Sequence, residues 1–391
     1  MRETYICSYS RTPIGTFRGS LSSISATELG SISIKSTIKK INFDKSKIDE
    51  VIMGNVLSAN LGQAPARQSS LGAGLSESIG CMTINKVCGS GLKTIMLGDQ
   101  SIKAGNSDII IAGGMENMSL APFYIPKLRS GVGFGNSELI DSIIYDGLRD
   151  PYNDFLMGNC AEKLCEEKKY TREQQDEYAI QSYERSNNAI NKGYFDKEIC
   201  NVEVKSRKGS ITVNKDEEPL KFDKNKILKL KPAFHKKGTI TAANASSLSD
   251  GAATVLLAAE DKINNDNLKP LAKIVAHASY ATNPLYFTKA PIYAIQKVLK
   301  KANMTIKDID LFEINEAFSC VPIVAIDELK LDNSKVNING GAASLGHPIG
   351  ASGTRIFVTL LNALLERNLK YGIASICIGG GEAVAVLIET C

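Results

Sequence analysis

Short runs of β-branched and other apolar residues alternate along the chain with longer stretches whose apolar positions recur every three or four residues. The runs VIMGNV (51–56), DIIIAGG (108–114), ATVLLAA (253–259), IASICIGGG (373–381) and AVAVLIE (383–389) predict strands, and the stretches between them predict helices. That alternation is the pattern of an α/β protein. A run such as DIIIAGG offers no polar face to water, so its strand is expected in the middle layer of a helix-sheet-helix arrangement.

One order of elements occurs twice. Gly89-Ser90-Gly91 leads into a helical pattern at about 92–104, a strand at 108–112 and Gly113-Gly114. Ala351-Ser352-Gly353 leads into a helical pattern at about 354–366, a strand at 372–377 and Gly379-Gly380. The repeat predicts two related halves, 1–118 and 265–391, the first completed by about 249–264. Residues 119–248 differ from both, with Pro, Tyr and Gly clusters and the lysine-rich KFDKNKILKLK. They also hold a polar helix opening at TREQQDEYA, where Thr171 is the expected N-cap and Gln174 stands at the capping-box position. This middle reads as an inserted loop domain, with most of its lysines on a solvated face.

Composition narrows the class. A chain of 391 residues exceeds what one core usually fills. Hydrophobic residues at 43% and charged residues at 23% suit a soluble globular protein, and a net charge of +4 is too small to imply nucleic acid. The absence of a long apolar run implies no membrane span. Nine cysteines, with no CxxC pair, fit neither a disulfide framework nor a zinc knuckle and point to a reducing compartment. The first residues have no apolar leader pattern and the last are neither SKL nor KDEL, so a cytoplasmic location is expected.

Four segments concentrate unusual residues: NKVCGSGLK around Cys88, NEAF at 315–318, NGGAASLGHPIGASG around His347, and CIGGG from Cys377. A cysteine ahead of a helix start receives N-terminal amides and the positive end of the helix dipole, which favours thiolate, and the same amides can hold an oxyanion. Of the three histidines, His235 and His277 have uninformative surroundings and are read as structural. His347, between Gly346 and Pro348, is the best candidate base for a cysteine. Cys377 ends an apolar strand before three glycines, where α/β proteins place ligands, although a buried strand cysteine would look the same. Asn315 and Glu316 after DLFEI would also suit a helix cap with an acidic first turn.

Taken together these segments resemble the thiolase family, in its biosynthetic, acetoacetyl-CoA-forming type. The resemblance spans the chain: SRTPIGTFRGSL, GNVLSANLGQAPARQ, NKVCGSGLK, AGGMENMS, TREQQDEYA, GTITAANASSLSDGAA, NEAF, NINGGAASLGHPIGASG and CIGGG. It implies the thiolase fold, two βαβαβ-type halves in a layered α/β/α/β/α body, and the reversible Claisen condensation of two acetyl-CoA to acetoacetyl-CoA and CoA. By resemblance Cys88 carries the acetyl group, His347 takes its proton and Cys377 abstracts the α-proton of the second acetyl-CoA. Asn315 holds a water at the enolate oxygen, and backbone amides of Cys88 and Gly379 hold the tetrahedral oxyanion.

The resemblance also gives the inserted domain the task of holding CoA, through Lys221, Phe222, Asp223, Lys226, Ser246, Leu148, Met157, Phe234 and Phe318. It implies no required cofactor, CoA esters as substrates, a homotetramer built as a dimer of dimers, and a potassium ion at Tyr183 with Ala242, Ala243, Ala245 and Ala343. Three positions depart from relatives. Leu156 replaces a histidine before Met157-Gly158, Glu382-Ala383 follows CIGGG where many carry Met-Gly or Gly-Gly, and Phe287-Thr288 stands where branched-chain members have Phe-Pro. Glu382 could face solvent or perturb Cys377. The alternatives are a degradative 3-ketoacyl-CoA thiolase, a ketoacyl synthase, which generally pairs one cysteine with two histidines, and a catalytically silent acyl-CoA-binding protein.

Overall fold

Ten strands hydrogen-bond into one sheet in the computed structural model, which describes residues 2–131, 133–206 and 209–391. Nine of them are β1 (Thr4–Arg11), β2 (Glu50–Gly54), β3 (Gly80–Ile84), β4 (Ile109–Asn117), β5 (Ser249–Ala259), β6 (Ala272–Ala281), β7 (Leu311–Ile314), β8 (Tyr371–Ile378) and β9 (Glu382–Thr390). They run in the order β7-β8-β9-β6-β1-β5-β4-β2-β3, and a short strand, Gly15–Thr16, pairs with the start of β5.

The repeated pattern in the sequence is a repeated topology. In the first half β2 is parallel to β4, β4 antiparallel to β5, and β5 antiparallel to β1. In the second, β7 is parallel to β8, β8 antiparallel to β9, and β9 antiparallel to β6. The halves meet where β1 pairs with β6 at Tyr5–Lys273 and Ile6–Ala272. Every residue of β4 and β5 is buried, as their unbroken apolar runs require.

Helices fill three layers. Helices α1 (Ala26–Lys39) and α2 (Pro65–Gly72) cover the outer face of the first half, with Leu29 and Ile34 packed on Val51 and Ile111. Helices α3 (Ser90–Ala104) and, far along the chain, α8 (Ile349–Glu366) lie between the halves, so Leu92 and Phe357 share a core with strand residues of both. The second half is covered by α6 (Ala290–Ala302), with α7 (Cys320–Leu329) beside it. Residues between β4 and β5 contribute α4 (Met157–Lys168) and α5 (Arg172–Asn191). Helix α5 opens with the expected capping box, Gln174 N donating to Thr171 Oγ1 and Thr171 N to Gln174 Oε1.

Arg11, at the end of β1, is fully buried and reaches into this inserted segment. Its guanidinium donates to Glu198 at 2.6 Å and to both carboxylate oxygens of Asp216 at 2.7 and 2.8 Å.

Helices α3 and α8 cross at two glycines. A Cβ on Gly91 would lie 2.7 Å from Thr354 N, and one on Gly353 would lie 2.2 Å from Leu92 N. Only residues without a side chain allow backbones this close.

Three local expectations differ from the structure. Helix α8 starts at Ile349, not near 354, because Pro348 occupies the N-cap and its fixed φ suits a helix entry; Ser352 and Gly353 therefore lie within the helix. Strand β4 continues through Gly113-Gly114 to Asn117, since the bare Gly114 lets Gly350 of α8 lie across it. No helix begins at Asn315, and α7 starts only at Cys320. Glu316 is instead buried, accepting from Ser182 Oγ at 2.7 Å, Asn337 Nδ2 at 2.8 Å and Ala343 N at 3.0 Å.

Candidate active site

Cys88 sits on a tight turn between β3 and α3. Asn85 Oδ1 accepts from Val87 N at 2.9 Å, and Gly89 N donates back to Lys86 O at 3.1 Å. Val87 has φ +46°, a left-handed conformation that a β-branched side chain resists. The strain is held by these hydrogen bonds and presents Cys88 toward a cavity of about 120 Å³.

The thiol departs from the expectation that the helix start would favour thiolate. Burial pushes Cys88 up to about 11, against the smaller opposing effect of hydrogen bonds from the Gly379 amide and its own. Solvent reaches the residue through the cavity, but protein surrounds it on most sides, so the desolvation of a sulfur anion dominates. Resting Cys88 is a thiol.

His347 faces the same cavity. Burial, helped by the charge of Arg355, lowers it to about 3, so the imidazole is neutral. Its Nδ1 lies 2.6 Å from Ser352 Oγ, while Nε2 is buried without a protein partner. The main chain is pinned by His347 N donating to Ser247 O at 3.1 Å.

Cys88, His347 and Gly379 share the cavity wall with Leu148, Met157, Ser246, Phe234 and Phe318. Sequence segments far apart are thus brought onto one small surface. Phe318 meets Phe234 and Phe287 edge to face at 6.0 and 6.3 Å, which makes the wall opposite the polar groups apolar.

Cys377 and Asn315 are not on that wall. Cys377 is wholly buried near the end of β8; burial drives its thiol far up, and the charge Cys88 would carry adds to this, so the two sulfurs are within electrostatic reach. Asn315, at the end of β7, donates its amide to Ser375 O at 3.0 Å. Both polar atoms of its side chain are buried without a protein partner, which calls for an ordered water or a ligand group. The two possibilities raised for Glu382 resolve as well: its carboxylate faces the solvent side and pairs with Lys86 at 2.6 Å.

The inserted segment forms a separate recess of about 280 Å³ that shares no lining residue with the Cys88 cavity. Lys221, Phe222, Asp223 and Lys226 line it with Tyr183, Ala242 and Ala243. Tyr183 stacks on Phe222 at 5.2 Å, and Lys221 pairs with Glu218 at 3.4 Å. Asp223 spends its carboxylate capping a short helix, accepting from Asn225 N and Lys226 N. Ala245 lines the Cys88 cavity instead, and Ala343 lies beside Glu316. A larger recess of about 650 Å³, bordered by Glu162, His235 and Thr239, also shares no residue with the Cys88 cavity. His235 is an exposed loop residue, and His277 Nε2 contacts Asp99 at 3.1 Å on β6, away from Cys88.

Sequence reasoning missed Glu116 and Ser352. Glu116 is buried at the end of β4 and accepts from Asn55 Nδ2, Val56 N, Leu57 N and Gly350 N, tying the 55–57 loop to the start of α8. A carboxylate directly after an unbroken apolar strand run was the available signal. Ser352 carried none, because the helix around it was placed too late.

Comparisons with known proteins place the whole chain in one family. The chain matches the family model for the thiolase N-terminal domain over residues 4–261 and that for the thiolase C-terminal domain over 268–390. It is 51% identical over 389 residues to an acetyl-CoA acetyltransferase of Yarrowia lipolytica, covering 100% of this chain and 97% of that one. It is 50% identical over 394 residues to the acetyl-CoA acetyltransferase of Saccharomyces cerevisiae, covering 99% of each. Among solved structures, the Acat5 thiolase of Ascaris suum in complex with coenzyme A matches with a TM-score of 0.94 and 45% identity over 100% of both chains. Human mitochondrial 3-ketoacyl-CoA thiolase matches with a TM-score of 0.97 and 38% identity, covering 100% of this chain and 99% of that one.

Proposed function

Because the chain belongs to the thiolase family, we propose that it is an acetyl-CoA C-acetyltransferase, condensing two acetyl-CoA to acetoacetyl-CoA and CoA and catalysing the reverse thiolysis. The observation that carries the reading is the small cavity on which a thiol, a neutral imidazole and the Gly379 amide converge.

In this reading His347 removes the thiol proton as Cys88 sulfur attacks the thioester carbonyl. The tetrahedral oxyanion rests on the amides of Cys88 and Gly379, both of which already point at sulfur. Collapse expels CoA thiolate, which takes the proton of the Cys377 thiol, leaving acetyl-Cys88, a protonated His347 and a Cys377 thiolate. The Cys377 thiolate then takes an α-proton from a second acetyl-CoA, whose enolate oxygen is held by the Nε2–H of protonated His347 and by a water on Asn315. The carbanion attacks acetyl-Cys88, and the released Cys88 sulfur takes its proton back from His347. This is a ping-pong scheme.

CoA esters are the substrates, and no metal is needed for the chemistry. We assign the halves to residues 1–118 with 249–264 and to 265–391, and CoA holding to the inserted 119–248, with Lys221 and Lys226 attracting the anionic nucleotide. A potassium ion near Tyr183, Ala242 and Ala243 is supported by the Glu218 carboxylate in the same recess. A homotetramer is supported by the exposed Leu120, Phe123, Ile125, Leu128 and Leu139, apolar groups clustered in one short segment. We place the enzyme in the cytoplasm, where its free thiols stay reduced. No helix among the described residues is long and apolar enough to cross a membrane.

The test is thiolysis of acetoacetyl-CoA beside a C8 ketoacyl-CoA, with and without potassium, and identification of the peptide labelled by radioactive acetyl-CoA. Label on Cys88 and preference for acetoacetyl-CoA are expected. Faster cleavage of the C8 substrate would instead favour a degradative 3-ketoacyl-CoA thiolase, and label on Cys377 would reverse the two cysteines.

A further inference from the structure

Ser352 stands one turn into α8, completely buried, with its hydroxyl between two neighbours. On one side is Pro348 O at 2.9 Å; on the other is His347 Nδ1 at 2.6 Å. A hydroxyl has one proton. The Pro348 carbonyl can only accept, so the serine proton goes there, and toward His347 the oxygen offers a lone pair. His347 must then carry its own proton on Nδ1, which leaves Nε2 with a lone pair. Nε2 is the buried, unpartnered nitrogen of a ring that faces the cavity shared with Cys88.

We propose that Ser352 is a positioning residue that holds His347 in the Nδ1–H tautomer and aims its Nε2 lone pair at the Cys88 thiol. The role rests on the reading of His347 as the base. It accounts for two otherwise unexplained features: a serine buried among apolar α8 residues, and an imidazole nitrogen left bare inside the protein. As the proton moves from Cys88 sulfur to Nε2, the ring becomes an imidazolium whose Nδ1–H remains on Ser352, so the ring need not turn between accepting a proton and returning it. The backbone on both sides is fixed, by His347 N on Ser247 O and by Gly350 N on Glu116 Oε2 at 2.8 Å.

The test uses the whole enzyme labelled with ¹⁵N in its histidine rings. Only three histidines are present, and His347→Asn identifies the signals of the third. At neutral pH the wild-type ring is expected to be protonated on Nδ1 and bare on Nε2, and Ser352→Ala to lose that preference. Ser352→Ala should also acetylate Cys88 roughly 10- to 100-fold more slowly, the usual scale for a group that orients a histidine, with the KM for acetyl-CoA little changed. Ser352→Thr, which keeps the hydroxyl, should recover the tautomer and most of the rate.

A wild-type ring protonated on Nε2 would overturn the proposal, even if Ser352→Ala failed to fold. So would an alanine variant that keeps the tautomer, or loses it at full acetylation rate. If the wild type neither acetylates Cys88 nor cleaves acetoacetyl-CoA, the functional reading fails, while the ring spectra still decide the tautomer.

Discussion

Lys86 Nζ and Glu382 Oε2 meet at 2.6 Å, joining the turn that carries Cys88 to the strand that follows the Gly379–Gly381 loop. The pair therefore spans the two segments whose amides point at the Cys88 sulfur. Its side chains keep 24% and 35% of their exposure, so solvent screening limits it to about 0–1 kcal/mol. Glu382→Gln should lower stability by no more than that in urea titration and change kcat by less than about threefold. A tenfold loss of kcat in a normally folded variant would show that the carboxylate acts on Cys377 after all.

The protonation of the site sets its response to pH. Cys88 lies at about 11 against an ordinary 9.0, so the fold holds the thiol form; the stability this contributes is intact below about 9 and lost as pH rises toward 11. His347 lies at about 3 against 6.5, so the unfolded chain takes up a proton first, and stability is lost as pH falls from 6.5 toward 3. Alkylation of Cys88 by iodoacetamide should therefore climb up to about pH 11. A plateau already at neutral pH would mean that the resting sulfur is a thiolate.

The helix crossing tolerates no added methyl. A Cβ at Gly353 would stand 2.2 Å from Leu92 N, a backbone atom that cannot swing aside. Gly353→Ala should cost roughly 1–3 kcal/mol in denaturant unfolding, and acetylation of Cys88 should fall with it. Unchanged activity at unchanged stability would show that the helices separate freely.

Arg11→Met would leave Glu198 and Asp216 buried without their cation, both fully inaccessible in the structure. Removing one partner of such a cluster typically costs about 3–5 kcal/mol. The deficit should shrink in acid, where the stranded Glu198 carboxyl, which burial already pushes up, takes up a proton. Thermal unfolding at two pH values measures both effects, and an equal deficit at each would argue that lost packing, not charge, is responsible.

Local signals were legible wherever local physics decides. The capping box of Thr171 and Gln174, the unbroken apolar runs of β4 and β5, and the repeated Ser-Gly, helix, strand order each depend on neighbours in sequence. What could not be read depends on partners far away. The thiol state of Cys88 follows from burial by several distant segments, and the burial of Glu316 from Ser182, Asn337 and Ala343. Ser352 became visible as a partner of His347 only once Pro348 was seen to start α8 early.

The crossing of α3 and α8 has a mechanical consequence. Cys88 and His347 each lie just ahead of a helix, and the two helices touch at Gly91 and Gly353, within a turn or two of both residues. The crossing acts as the pivot of a pair of scissors, with Cys88 and His347 both beside the pin. Bending at the far ends, near Ala104 and Glu366, then moves sulfur and imidazole very little, because the lever arm on their side is short. Cys88 and His347 thus keep their spacing when the helices flex at the ends away from the crossing.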